Sequence, residues 1–336
     1  MPHGHCTLPA DDAGRVLDRL AGLEQVIRPE DVQQALTATG RVNSRRCRLT
    51  HEIVLWVVLA MGLLTDLPIR QVFKAARRLR KGEESPHRST LCVARQRLGV
   101  APVRHLFLQV TRPLAHPETP GAFYRDWRLM GVDGTVYDVP DSEDNAAVFA
   151  RPSAGPRGEG AFPQVRKLSL VELGTHVEVA MVVRSSAHGE QSMVAGLFRH
   201  LTSEMLLLWD RGFFSYELWQ QMTARGVKVL ARVKSQLILR PIEHLSDGSY
   251  RAKIYKSSYD REKDRDGIVV RVIRYTLDDP QRVGHGAEHV LITNLLDEEL
   301  YPSNELIILY HERWEEEQVF DEQRACCQNA VRRRCA

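Results

Sequence analysis

Residues 205–213 read Met205-Leu206-Leu207-Leu208-Trp209-Asp210-Arg211-Gly212-Phe213, and the fold is read outward from them. An unbroken apolar run ended by an acid and a glycine predicts a short strand buried on both faces, with the Asp210 carboxylate at its end. Upstream, Leu129-Met130-Gly131-Val132 runs into Asp133-Gly134-Thr135 in the same manner. This predicts a strand from Trp127 to Asp133, with the acid where the chain turns. A charge at the edge of a buried strand is costly unless it is paired or bound to a cation. Either Asp alone is equally a turn or helix-capping residue.

Strand patterns at Lys167–Leu173 and His176–Arg184 flank a Gly-Thr turn, and Val227–Val233 gives another strand. Helical patterns lie at Glu190–Leu201 and Ser215–Arg225. Strands first, then alternation with helices, predict an α/β sheet with some antiparallel pairing. Between Lys234 and Pro302, alternating stretches such as Val269-Val270-Arg271-Val272-Ile273-Arg274-Tyr275 predict a β-rich insertion, and a helix begins near Ser303. Residues Arg28 to Leu114 have apolar spacing of three and four with breaks at Pro68, Pro86 and Pro102, which predicts an all-helical N-terminal domain. The expected division is 1–118 helical, 119–233 first part of the sheet domain, 234–302 insertion and 303–336 final helix and tail.

The chain has 336 residues and a net charge of +3, but fifteen Lys or Arg stand against four Asp or Glu between Arg41 and His116. A basic segment beside an acidic remainder suits a protein that grips a polyanion with one part and gathers carboxylates around cations with another. Arg77, Arg78 and Arg80 share the flank of a helix expected over Gln71–Lys81 and are candidate phosphate contacts, as are Arg251, Lys253 and Lys256 of the insertion. A solvated bundle surface produces such runs as well. The apolar run Ile53–Leu64 is too short to span a bilayer and reads as a buried core helix. With no secretory signal and six cysteines that show neither paired zinc-ligand spacing nor the density of a disulfide scaffold, the expected setting is the cytoplasm.

On the final helix Tyr310, Arg313, Glu317 and Arg324 fall close to one face. Arg313 has the fork for a phosphate and Glu317 the carboxylate for a metal; a surface Arg313–Glu317 salt bridge is the plainer alternative. Two strand-end carboxylates plus one from a helix suit Mg²⁺, which prefers oxygen ligands. Two such ions roughly 4 Å apart serve phosphoryl transfer.

Asp133-Gly134-Thr135, Asp210-Arg211-Gly212-Phe213 and Tyr310-x-x-Arg313-x-x-x-Glu317 together resemble the three ordered blocks of insertion-sequence-4 family DDE transposases. The resemblance covers roughly Ile27 to Gln323. It implies an RNase H-like mixed sheet flanked by helices, with a β-rich insertion before the last acidic residue. It implies a catalytic triad of Asp133, Asp210 and Glu317 ligating two Mg²⁺, with Mn²⁺ as substitute. Tyr310, Arg313 and Arg324 would hold transposon-end DNA, Arg324 standing where the family has Lys. The implied reaction is metal-dependent cleavage and strand transfer. The implied partners are terminal inverted repeats, target DNA and a second copy of the chain in the synaptic complex, with no membrane involved.

The stretch Arg324 to Ala336 is rich in Cys and Arg where family members continue into further helices, so a shortened C-terminus with weak or no transposition is expected. The alternative function is a catalytically impaired, DNA-binding remnant, an inhibitory one included. A metal-free glycosidase using two of the same carboxylates is a more distant rival.

Overall fold

The computed structural model describes residues 20–45, 47–77, 84–152, 158–277 and 286–312. They form two compact units, the first ending at Thr111 and the second beginning at Arg112.

The first unit is helical: α1 (Pro29–Ala38), α2 (His51–Leu63), α3 (Ile69–Ala76), α4 (Arg88–Leu98) and α5 (Ala101–Val110). Pro29 opens α1 with its fixed φ, and Asp31 reaches back to accept from the Arg28 backbone N–H at 3.0 Å. Thr50 caps α2 by accepting from Ile53 N–H. α2 is apolar around its circumference, which places it at the centre: Val54 and Leu55 pack in one cluster with α1 and α5, while Val57 and Ala60 pack in another with α3. No helix among the described residues is long and apolar enough to cross a membrane. Gly99 ends α4 at φ +74°, where a side chain would strain the backbone.

The second unit is built on one ten-stranded sheet. Its elements are β1 (Phe123–Tyr124), β2 (Trp127–Asp138), α6 (Glu143–Val148), β3 (Gln164–Glu172), β4 (Val177–Ser185), α7 (Glu190–Val194) with a 3₁₀ turn over Ala195–His200, β5 (Met205–Trp209), α8 (Tyr216–Thr223), β6 (Lys228–Val233), β7 (Pro241–His244), β8 (Tyr250–Ile254), α9 (Ser258–Glu262), β9 (Ile268–Thr276), β10 (Glu288–Thr293) and α10 (Ser303–Glu312). The order is β4-β3-β2-β5-β6-β10-β9-β8-β7, with β1 beside β2. β2, β5 and β6 are parallel and every other pairing is antiparallel. β10 joins β6 along Val290↔Val233 to Thr293↔Leu230, so the strands of the 234–302 stretch continue the same sheet.

Side chains alternate between two cores. Met130, Val132, Leu207 and Trp209 face α7, the 3₁₀ turn and α8, where Trp219 is fully buried. Leu129, Leu206, Leu208 and Leu230 face α10 through Leu306, Leu309 and Tyr310. A mixed sheet with helices on both faces is the RNase H-like arrangement that the sequence implied.

Candidate active site

The strand end at Asp210 is where the sequence placed it, and its block has a local cause. β5 stops at Trp209, and the Phe213 N–H donates to the Asp210 carbonyl at 3.0 Å to close a turn. Gln191 donates to the Gly212 and Phe214 carbonyls, and Phe213 is buried against the Trp209 ring at 6.3 Å.

Asp133 corrects an expectation. It is not at a turn: β2 runs on to Asp138, with Asp133 paired to Ser169, Gly134 to Leu168 and Thr135 to Lys167. The antiparallel partner β3 supplies backbone hydrogen bonds past the point where Gly-Thr suggested a break. What ends at Asp133 is the neighbour on the other side. The parallel pairs Arg128↔Met205 through Gly131↔Leu208, carried two residues on in the same register, bring Asp133 level with Asp210.

Alternation from Leu129 and from Leu206 and Leu208 puts both carboxylates on the α10 face of the sheet. Both are half-buried, at the point where the apolar layer gives out. Asp133 Oδ1 accepts from the Gly134 N–H at 2.8 Å. The parallel register of β5 with β6, extended one residue beyond Trp209↔Ala231, sets Arg232 beside Asp210, and Arg232 Nη2 lies 2.7 Å from His289 Nδ1.

α10 is held to this face at three points. At its start, the Asp247 carboxylate accepts from the Ser303 N–H at 2.8 Å. Two residues on, Glu305 accepts from Arg125 Nη2 and from the Tyr124 hydroxyl, both at 2.9 Å. Burial, then the bond to Glu305, pushes the Tyr124 phenol up to about 12. At Tyr310, 4% exposed, the hydroxyl lies 3.3 Å from the Trp209 carbonyl and 3.4 Å from Asp210 Oδ1. Tyr310, expected from the sequence to hold DNA, thus has its hydroxyl at the Asp210 end of β5. Glu317, Arg313 and Arg324 lie outside the described residues, as do Arg78 and Arg80. Among the described residues no group of three or more His, Cys, Asp or Glu is gathered to hold a metal ion.

Sequence reasoning missed the polar flank on β3 and β4. Lys167 Nζ and Ser169 Oγ donate to Glu178 Oε1 at 2.5 and 2.7 Å, with Ser169 directly across from Asp133, and Lys167 lies over the Tyr137 ring at 5.6 Å. The signal was there in the alternation Lys167-Leu168-Ser169-Leu170, which marks one polar and one apolar strand face.

The glycine of the first block has a steric reason. A Cβ on Gly134 would sit 2.5 Å from Glu190 Oε1, the oxygen that pairs with Arg166 Nη1 at 2.6 Å on the reverse face. Gly134→Ala is therefore expected to displace the Glu190 carboxylate from Arg166 and destabilise the protein by about 0.5–1 kcal/mol, the usual worth of a part-exposed ion pair. On a Glu190→Ala background, which already lacks the pair, Gly134→Ala should cost little more in urea unfolding. Additive losses in the double variant would refute the clash.

The cations expected to bind DNA fare differently. Arg77 is exposed and caps the end of α3, which closes at Ala76. Arg251 and Lys253 are ion-paired within the insertion, with Glu243 and Asp264, and Lys256 pairs with Glu217 of α8.

Comparison with known proteins agrees with this geometry. The family described as "Transposase DDE domain" matches residues 128–335, and "Insertion element 4 transposase N-terminal" matches residues 17–108. The chain belongs to the DDE transposases of the IS4 family. It is 27% identical over 303 residues to "Transposase InsG for insertion sequence element IS4" of Escherichia coli (strain K12), a match covering 88% of this chain and 66% of the relative. It is 25% identical over 200 residues to "Putative transposase InsZ" of the same organism, covering 59% of this chain and 65% of that protein. The chain thus spans just under two thirds of the length of the curated relatives it matches.

Proposed function

We propose that this chain is a DNA-binding protein of the transposase family that binds element-end DNA, with cleavage and strand joining dependent on Glu317. The observation that carries the reading is the pair of half-buried carboxylates, Asp133 and Asp210, level on adjacent parallel strands and facing the helix that leads to Glu317. The donor set fits a hard divalent cation, because it offers carboxylate oxygens on two half-buried residues, and Mg²⁺ prefers oxygen ligands and retains several waters. Asp133 and Asp210 would hold the ion, with Glu317 completing the set. When bound, Mg²⁺ or Mn²⁺ supplies Lewis-acid activation at the scissile phosphate. Tyr310 orients the Asp210 carboxylate, and Arg232 and Lys167 set the charge on either flank. The helical region 1–118 serves as the DNA-binding domain, 119–233 and 303–336 carry the acidic residues, and 234–302 is the insertion between them. The partners follow: inverted-repeat DNA, target DNA and a second copy of the chain, in the nucleoid of the cytoplasm.

A second reading is favoured by what the described residues themselves carry, a cationic helical unit and two carboxylates. That is sufficient for end binding by a cleavage-impaired form, which would inhibit a competent transposase by occupying its ends. One assay separates the two: the whole chain is incubated with labelled element-end duplex in Mg²⁺, Mn²⁺ or EDTA. Retarded DNA without metal-dependent nicks is expected for the impaired form, and nicks with metal for the competent enzyme. Neither retardation nor nicks would sink both readings.

A further inference from the structure

In the helical unit, a groove of about 730 Å³ runs between the 43–51 segment and α4. On one wall stand Arg45 and Arg48; on the other, Thr90, Val93, Ala94 and Arg97 follow each other at spacings of three, one and three, so all lie on one face of α4. Leu91 and Leu98, on the neighbouring flank of the helix, are buried in the core, which sets the helix's rotation about its axis. Arg45, Arg48 and Arg97 are all exposed, and among the described residues no carboxylate lines the groove. This sets them apart from the insertion cations, whose charge carboxylates already neutralise.

We infer that this groove is the seat of the sugar-phosphate backbone of duplex DNA, a more specific statement that rests on the DNA-binding reading above. Three guanidiniums along one trough exceed what a single phosphate needs, and planar Arg forks suit successive phosphates. The hydroxyl of Thr90, in the first turn of α4, adds a donor where the helix end already favours an anion. Leu49, Val93 and Ala94 offer apolar contact for deoxyriboses. Among the described residues no Phe, Tyr or Trp lines the trough, so they offer no aromatic platform of the kind on which single strands stack, and duplex DNA is the partner. Arg77 is not among the lining residues, and Arg78 and Arg80 lie outside the described residues.

The test uses the whole chain and a 40-base-pair duplex, followed by fluorescence anisotropy across a salt series. Arg45→Gln, Arg48→Gln and Arg97→Gln together should lower affinity at least tenfold near 0.1 M salt. They should also flatten the slope of log K against log salt by about 2–3, since each phosphate contact contributes roughly 0.9. Thr90→Asp is the second variant. An acid in the first turn favours the helix, so thermal stability should hold or rise while DNA affinity falls several-fold. Bound duplex should also slow alkylation of Cys47, which is exposed and lines the groove. Unchanged affinity and slope in the triple variant, or an equal loss from Arg240→Gln with Arg261→Gln in the other unit, overturns the groove while leaving DNA binding intact. A parent chain with no affinity for duplex DNA overturns both, and preference for single-stranded RNA overturns the choice of partner.

Discussion

Arg271→Met is expected to lower the unfolding free energy by about 3–5 kcal/mol, the usual cost of removing one partner of a buried ion pair. Arg271 sits in β9 with no exposed side-chain surface. It donates to Ser249 Oγ at 2.8 Å, to the Tyr301 carbonyl at 2.6 Å and to the Asp247 carboxylate. Asp247 in turn accepts the Ser303 N–H that opens α10. One buried cation therefore ties the β7–β8 turn, the residues before α10 and the first turn of α10 into a single network. Met fills the volume but leaves Asp247 charged and the Tyr301 and Asp297 carbonyls short of a donor. Arg271→Met with Asp247→Asn should recover part of the loss, because no uncompensated charge remains. Urea unfolding with unchanged m-value reads both; a loss under 1 kcal/mol would show the network to be dispensable.

The same network has a pH signature. Desolvation disfavours the Asp247 charge, but it is outweighed by hydrogen bonds from the Ser249 side chain and backbone, the Ser303 N–H and the Arg271 charge, which hold the carboxyl at about 2. A folded pKa depressed below the unfolded value of roughly 3.9 gives stability that is present above pH 4 and lost as pH falls towards 2. The amount is about 2 kcal/mol at neutral pH. Asp247→Asn should remove that acid-side slope.

β5 was legible to the residue because five apolar residues ending on an acid leave one choice of element and boundary. β2 was misjudged at its end, since Gly134-Thr135 has local turn chemistry but a partner strand that keeps it extended. The expected helix over Glu190–Leu201 becomes α7 and a 3₁₀ turn for a tertiary reason. Gly196 packs so close to β4 that a Cβ would meet Val182 Cγ2 at 2.7 Å, and that contact is not written in local spacing. Likewise, alternation announced the strands of the insertion but not that β10 would dock on β6, because the pairing of Thr293 with Leu230 spans long-range sequence. Of the site, the two Asp positions were readable as strand-associated acids. Their common level and face follow from β2–β5 register, which only the folded sheet supplies.

Asp210→Asn should have opposite effects on the metal-free and metal-loaded protein. Without metal, Asp133 and Asp210 are like charges on strands about 4.8 Å apart, so neutralising one relieves a repulsion of the order of 0.5–1 kcal/mol in a site open to water. The amide keeps an acceptor for the Tyr310 hydroxyl, so shape is retained. Metal-free Asp210→Asn and Asp133→Asn should therefore melt slightly above the parent. With Mn²⁺ at ten to a hundred times its dissociation constant, the parent should gain about 1.4–2.7 kcal/mol by binding, and the variants next to nothing. The order of melting temperatures then reverses. If the parent nicks element-end DNA, either substitution should lower the rate on the order of a thousandfold or more, because several kcal/mol of charge stabilisation are lost at the scissile phosphate. DNA affinity should be retained, since the groove arginines are untouched. Equal stabilisation of parent and both variants by Mn²⁺ would place the ion elsewhere and end the assignment of these two carboxylates, whether or not the chain cleaves DNA.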